Sequence, residues 1–210
     1  MFRELLGRRM IDKKIEKNLV ELSLIPSKYY ETLYIDRRTE ISSPVFDLLE
    51  EEEREKRGEL IELLKEGIVD TKIEIAKFEL YERVVNVTRS MKEVRVSITE
   101  NKERIKEEEY TELVIILKDV SKLGRTMFEM VKGLYDDYNL AKKKKSELSK
   151  MSEKISNLIT KFRFPSGSKA RFYFEDSNVL ISNSIRESIQ SMVDVGEKII
   201  EIIEEFDFNR

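Results

Sequence analysis

The chain has 210 residues, of which 40% are hydrophobic and 39% charged, and its 39 basic and 42 acidic side chains leave a net charge of −3. It has no cysteine and no histidine, which excludes disulfides, thiolate chemistry, imidazole bases and most zinc or copper sites. Only 7 glycines and 3 prolines interrupt it, so the composition predicts few, long helices. We expect no enzyme, because no nucleophile and base pair can be named.

The charge and hydropathy patterns restrict location and partners. No apolar run approaches the roughly 20 residues that cross a bilayer, and the N-terminal apolar stretch is too short for a signal peptide. We therefore expect a soluble, cytoplasmic protein without membrane insertion. Interspersed charges of both signs argue against nucleic acid as a partner. Dense Lys, Arg and Glu with no cysteine is typical of proteins from hot-growing organisms, including thermophiles.

The N-terminal half predicts two helical stretches. The first covers residues 4–24 and is expected to end at Pro26, before an irregular or short helical connection. Ser43 and Pro44 then resemble an N-cap and a first helical residue, and the helical pattern continues to about Ile98 with Gly58 as a candidate break. The apolar residues of this second stretch that we assign to one buried face are Ile61, Leu64, Ile68, Ile75, Phe78, Val85, Met91, Val94 and Ile98.

The C-terminal half contains the most regular pattern. Apolar residues follow one another at steps of four and three through residues 105–138, and the pattern resumes after "YDDYN", so residues 105–163 form one helix or two. The segment near 162–175 changes period and predicts a short hairpin or an ordered loop. Asp176 or Ser177 is then expected to cap the last helix.

These elements predict an all-α fold, an antiparallel bundle of five or six mostly long helices. The bundle is expected to be a single domain over residues 1–210. Gly124 and Gly196 lie on apolar helix faces, where glycine is unfavourable unless another backbone approaches closely. They therefore predict close helix packing.

Two short motifs carry a resemblance to a known family. "SKLGR", Ser121 to Arg125, and "QSMVD", Gln190 to Asp194, align with the helical Glu-Arg-Ile-Gly-Asp run of the PhoU family. "MFRELLGRR" also resembles the N-terminus of short PhoU-like proteins associated with phosphate transporters. The resemblance implies paired helical bundles, which here would be two half-repeats of about 1–100 and 101–210 within the single domain. It also implies a regulatory protein that docks on a phosphate transport or signalling partner.

The same motifs depart from the family at the positions that bind metal. The PhoU motif places two carboxylates four residues apart, where they hold clustered metal ions. Here Ser121 and Arg125 replace both acids in the first motif, and Gln190 replaces one in the second, so that only Asp194 remains. A hard metal ion needs several converging carboxylates. We therefore expect a member of this kind without metal or other cofactor.

The segment "RFRFPSGSKARFYF" interleaves basic and aromatic side chains. Its aromatics could pin a connection to the bundle, the segment could dock a protein partner, or it could bind nucleic acid, which the net charge disfavours. The candidate docking residues are Arg163, Phe164, Lys169, Arg171, Phe172 and Phe174. The run Lys142 to Lys145 is followed by acids at pairing distance, which favours an exposed, salt-bridged helix face.

Two functions remain in view. The first is a PhoU-like regulatory protein that docks a helical face on a protein partner. The second is a structural bundle that self-associates through its apolar faces, without ligand or metal. A homodimer is expected under the second.

Overall fold

The computed structural model describes residues 2–35, 44–66, 72–163 and 177–207, and within these ranges it is all-helical, with no strand. The prediction of an all-α bundle of five or six helices is therefore confirmed, and the described residues form six. A single 3₁₀ turn, Lys102–Arg104, follows the third helix. The helices are α1 (Phe2–Ile35), α2 (Pro44–Glu66), α3 (Lys72–Asn101), α4 (Glu107–Asp136), α5 (Tyr138–Arg163) and α6 (Ser177–Asp207).

Four of the helices form the centre of the bundle. Helix α1 packs along α4 and α3 packs along α6, while contacts of α1 with α3 and of α4 with α6 close the square. Helix α2 lies outside this square against α1 and α3, and α5 lies outside it against α4 and α6. The two outer helices therefore occupy opposite sides of the molecule.

Neighbouring helices run antiparallel, as side-chain pairs between α4 and α5 show. Asp119 pairs with Lys154 and Glu129 pairs with Lys144, so positions along α4 rise as positions along α5 fall. The pairs between α1 and α2 and those between α3 and α6 show the same pattern, with residue numbers rising on one helix as they fall on the other. Helices α2 and α5 thus fold back on the helices that precede them in the chain, as short connections require.

The helices before and after the 3₁₀ turn form two sets of three with similar contacts. In each set, one outer helix covers two inner helices, and the sets meet mainly along α1–α4 and α3–α6. One hydrophobic core contains buried residues from all six helices. Whether the two sets are half-repeats of one unit stays a prediction.

Helix α1 differs from the sequence-based expectation, because it continues through Pro26 to Ile35. A proline inside a helix removes one N–H donor and typically costs about 3 kcal/mol. Ile25, Tyr29 and Tyr30 on either side of it are completely buried. Burial of side chains of this size stabilises the fold by about 1.5–3 kcal/mol each, which offsets the local cost. The prediction that Pro26 ends the helix is wrong for this reason.

The segment 105–163 forms two helices that are separated by Asp137. This residue is extended, with φ −159° and ψ 97°. Its carboxylate accepts hydrogen bonds from the backbone N–H groups of Asn139 and Leu140, at 3.0 and 3.2 Å, and so satisfies free donors at the start of α5. Gly133 allows the corner to close, because a Cβ there would lie 3.0 Å from the backbone nitrogen of Ala141.

Two further expectations are corrected. Gly58 does not break α2, which continues to Glu66. Ile61, Ile75 and Phe78 were assigned to a buried face, but all three are exposed. The start of α3 carries apolar residues on two faces, and the buried face is the one without Ile75 and Phe78. That face consists of Ala76, Leu80, Val84, Val87, Met91, Val94 and Ile98.

The predicted hairpin or ordered loop near 162–175 lies almost wholly outside the described residues. Phe162 and Arg163, which were assigned to it, are the last two residues of α5, and Phe162 is buried in the core.

Gly124 and Gly58 offer a matched pair for testing close helix packing. A Cβ at Gly124 would lie 3.2 Å from the backbone nitrogen of Ser27, whereas a Cβ at Gly58 meets nothing within 4 Å. Alanine in place of an exposed helical glycine stabilises by about 1 kcal/mol, and overpacking costs about 1–3 kcal/mol. We expect Gly58→Ala to raise the free energy of unfolding in urea and Gly124→Ala to lower it. Equal stabilisation by both variants would contradict the close contact of α1 with α4.

Candidate functional site

The first PhoU-like motif lies in the contact between α4 and α1. Ser121 is buried, and its hydroxyl donates a 2.9 Å hydrogen bond to the backbone carbonyl oxygen of Ser27. Gly124 faces the same backbone, with the position of its missing Cβ 3.3 Å from the Cα of Ser27. This face of α4 is therefore occupied by helix packing.

Arg125, the other end of that motif, lies on the exposed side of α4. Its Nε is 3.9 Å from Oε1 of Glu129, and its guanidinium carbon is 5.1 Å from the centre of the Phe128 ring. The two motif positions thus occupy different environments, since Ser121 is buried and Arg125 faces solvent. The structure does not bring them together into one site.

The second motif forms a local contact on α6. Gln190 donates a 2.7 Å hydrogen bond from Nε2 to Oδ1 of Asp194, one helical turn away. Arg83 on α3 donates to the backbone carbonyl of Asp194 at 3.1 Å. Within the described part of the chain, no group of three or more acidic residues is placed to hold a metal ion. The expectation of a metal-free protein stays a prediction.

Gly196 faces the side chains of the neighbouring helices. A Cβ at this position would lie 2.5 Å from Cδ2 of Leu148 on α5 and 3.4 Å from Sδ of Met130 on α4. The glycine therefore makes room for the Leu148 side chain where α4, α5 and α6 meet.

The candidate docking segment cannot be placed. Arg163 ends α5, but its side chain, and the whole of Phe164, Lys169, Arg171, Phe172 and Phe174, lie outside the described residues.

A groove between α5 and α6 is the concave feature nearest to the second motif. Its volume is about 350 Å³. It is lined by Ser152, Ser156, Arg186, Ile189, Gln190 and Val193. Two hydroxyls, an amide and a guanidinium thus share the groove with two aliphatic side chains, a mixture that suits a polar group with apolar flanks.

Arg186 gives this groove its charge. Its Nη2 donates a 2.9 Å hydrogen bond to the hydroxyl of Thr160, and its Nε is buried without a hydrogen-bond partner. No carboxylate within the described ranges forms an ion pair with it. A guanidinium is always charged and binds carboxylates through paired hydrogen bonds. The groove can therefore accept an acidic group from outside the chain.

Sequence reasoning missed Arg186. The only available signal is its place on α6, one turn before Gln190 and directly after the buried Ile185. Nothing in that spacing distinguishes it from the other charged residues of an amphipathic helix, because the groove is formed by a second helix.

A buried carboxylate on α2 was also missed. The side chain of Glu53 is only 1% exposed, and it accepts a 2.7 Å hydrogen bond from Nζ of Lys92 on α3. The hydroxyl of Thr88 lies 3.3 Å from Glu53 Oε1, and Nε of Arg57 lies 3.7 Å from it. Glu53 is the last residue of the run "EEEE". It lies four positions after the buried Leu49 and therefore on the same helix face. Lys92 and Thr88 both belong to α3, so the contacts of Glu53 join α2 to α3.

A second polar cluster joins the same helices to α1. Glu50 accepts hydrogen bonds from the hydroxyl of Tyr29, at 3.0 Å, and from Nη1 of Arg95, at 2.9 Å. The guanidinium carbon of Arg95 lies 4.4 Å from the centre of the Phe46 ring. Burial raises the pKa of Tyr29 far above its ordinary value, so the phenol stays a donor. Charged contacts thus hold the outer helix α2 to α1 and α3.

Two further ion-pair clusters link helices, one between α4 and α5 and one between α6 and α3. Asp119 on α4 accepts hydrogen bonds from Lys154, at 2.6 Å, and Lys122, at 3.0 Å. Burial alone would raise its pKa, but these two hydrogen bonds outweigh burial and lower the pKa of Asp119 below its ordinary value. Lys198 on α6 is buried and pairs with Glu79 on α3 and Glu201.

Comparisons with protein families, with curated proteins and with solved structures found no match for this chain. Within the described ranges, none of the helices is both long enough and apolar enough to cross a membrane. The PhoU-like resemblance therefore remains a proposal.

The Glu53–Lys92 pair predicts a large effect of one substitution on stability. Lys92→Met removes the closest partner of a buried carboxylate, and a buried polar group left unsatisfied costs about 1–3 kcal/mol. We expect the free energy of unfolding in urea to fall by this amount. Lys65→Met is the control, because its pair with Glu62 is exposed on both sides and exposed pairs contribute less than about 1 kcal/mol. Similar losses in both variants would contradict the assignment.

The lowered pKa of Asp119 predicts a pH dependence. Its carboxylate contributes stability above the pKa of the unfolded chain, and that contribution is lost as pH falls through the lower pKa of the folded state. Asp119→Asn should therefore be less stable than the parent at pH 7 by less than about 1 kcal/mol, because both lysines are largely exposed. The difference should shrink below about pH 4.

Chemical denaturation at several pH values measures this difference, and Glu187→Gln on the exposed face of α6 controls for the loss of one charge. A difference for Asp119→Asn that grows on acidification would show that the ion pair does not stabilise the hairpin of α4 and α5.

Proposed function

We propose that this chain is a non-enzymatic, cytoplasmic accessory protein that docks its α5/α6 face on an acidic segment of a protein partner. The observation that carries the proposal is Arg186, a partly buried guanidinium that has no carboxylate partner among the described residues. An arginine in a groove contributes most when a partner supplies the missing carboxylate, because the pair then forms charge-assisted hydrogen bonds.

The shape and lining of the groove favour a peptide segment over an enclosed small molecule. A volume of about 350 Å³ is near the lower limit for small-molecule sites. Ile189 and Val193 line it beside Arg186, so an acidic side chain flanked by apolar residues matches it. A protein partner can supply both from one helical turn or one loop.

The resemblance to PhoU proteins suggests which partner to test first. If it holds, the partner belongs to phosphate transport or its signalling, and the bundle binds one state of that partner better than another. Differential affinity of this kind shifts the partner's population between states, which is how a protein without catalytic groups can regulate. The metal chemistry of the family is not part of this proposal, since Ser121 and Gln190 bond to neighbouring protein groups.

Self-association is the second candidate function, but its surface differs from the one expected. The apolar faces of α4 and α6 are buried in the core. A homodimer or larger assembly must therefore use the outer surface of the bundle. The opposite charges of α2 and α5 favour such an assembly.

Arg186→Gln tests the docking proposal. The substitution keeps a polar side chain but removes the charge. We expect recovery of phosphate-transport components in a pull-down to fall at least about tenfold, because loss of a charge-assisted contact costs more than about 1.4 kcal/mol of binding free energy. Arg89→Gln, an exposed arginine on α3, is the matched control and should bind as the parent does.

The pull-down should use both phosphate-rich and phosphate-starved cells, because the proposal has the bundle bind one state of the partner better than another. Recovery of no transport component by the parent protein from either culture would count against the phosphate partner. Calorimetry with inorganic phosphate alone is the second arm. Binding of phosphate that depends on Arg186 would show a small-anion site instead of a docking groove.

A further inference from the structure

The two outer helices of the bundle carry opposite charge. Helix α2 contains nine acidic and four basic residues, whereas α5 contains two acidic and eight basic residues. Because α2 covers α1 and α3 while α5 covers α4 and α6, these charges lie on opposite sides of the molecule. The small net charge of the whole chain conceals this separation.

Four exposed charges of one sign align as a stripe on each outer helix, with Arg54 beside the acidic stripe and Glu147, which pairs with Lys144, beside the basic one. The acidic stripe on α2 consists of Glu51, Glu55, Glu59 and Glu62, and the basic stripe on α5 consists of Lys143, Lys150, Lys154 and Lys161. All eight side chains are exposed. Steps of three, four and seven residues keep each stripe on one helical face, the face that points away from the core.

Several of these charges have no ion pair within the described chain. Glu59 pairs with Lys56, and Glu62 pairs with Lys65. By contrast, Glu51, Glu55, Lys143, Lys150 and Lys161 form no ion pair within the described residues. Leu48 is 65% exposed at the start of the acidic stripe, and Leu140 is 38% exposed at the start of the basic one. Each stripe thus presents unpaired charge beside an exposed apolar residue.

We propose that the acidic stripe of one molecule docks against the basic stripe of a second copy of this chain. Charge complementarity identifies the occupant, because each stripe offers the sign that the other lacks and both belong to the same protein. Parallel docking of α2 on α5 also brings Leu48 near Leu140, so that apolar contact accompanies the ion pairs.

The contact is head-to-tail, because the two surfaces differ and lie on opposite sides. Such an interface leaves a free α2 at one end of a pair and a free α5 at the other, so assembly continues to longer chains of molecules unless a ring closes. Helices of 23 and 26 residues are about 35 and 39 Å long. A contact between two such helices is near the lower limit for a specific interface, and the assembly is weak and reversible.

Salt dependence separates this assembly from association through apolar surface. Exposed charges are screened over about 10 Å at 0.1 M salt and over about 3 Å at 1 M. Sedimentation velocity should therefore show a weight-average mass that rises with protein concentration at about 20 mM NaCl and stays that of the monomer at about 500 mM. A monomer at all concentrations in low salt would overturn the proposal.

Charge-swapped variants test which surfaces meet. Glu51→Lys with Glu55→Lys reverses the charge at half of the acidic stripe, and Lys143→Glu with Lys150→Glu reverses the charge at half of the basic stripe. Each double variant alone should stay monomeric in low salt. A mixture of the two should assemble, and a single chain carrying all four substitutions should assemble as the parent does. Failure of the mixture to assemble would overturn the pairing of α2 with α5.

The control carries the same change in net charge as the variant with Lys143→Glu and Lys150→Glu, but at other positions. Arg89→Glu with Lys118→Glu alters exposed residues of α3 and α4 and should leave assembly unchanged. Arg186→Gln should also assemble normally, because Arg186 lies on α6 and belongs to neither stripe. Loss of partner docking and loss of assembly are therefore distinguishable. Binding of duplex DNA by the parent with the same dependence on Lys143 and Lys150, in place of assembly, would assign the basic stripe to nucleic acid instead.

Discussion

The contact of α1 with α4 at Ser27 is the constraint on which the arrangement of the bundle depends. Gly124 has no side chain to separate the two backbones, and Ser121 donates a hydrogen bond across the space that remains. This crossing joins the N-terminal and C-terminal sets of helices. It also explains why α1 continues past Pro26, because the residues after the proline are buried against the rest of the bundle.

The same contact determines the surroundings of the first PhoU-like motif, because Ser121 is buried and turned toward the backbone carbonyl of Ser27. The second motif is outside this contact, since Gln190 is exposed, bonds to Asp194 and lines the groove beside Arg186. That groove and the outer helices are the surfaces that we propose for partners. The part of their charge that is not paired within the described chain can contribute to binding.

The candidate site was hardly predictable from the sequence. The motif positions were located from residue spacing, but spacing cannot show that Ser121 is buried while Arg125 is exposed. Arg186 becomes distinctive only because α5 forms the other wall of its groove. Glu53 is one of four consecutive glutamates, and its burial depends on Lys92, which is 39 residues away in the chain. Long-range pairing of this kind leaves no periodic pattern.

The sequence by itself determined the all-α class, a bundle of five or six long helices and most of their apolar faces, because helix propensity and a period of 3.6 residues are local properties. Only the tertiary structure decided that helix α1 passes through Pro26, that Ala76 and Leu80 are buried in place of Ile75 and Phe78, and that α2 and α5 lie on opposite sides. Each of these outcomes depends on which neighbouring helix supplies the packing, and that energy is absent from any single segment of the chain.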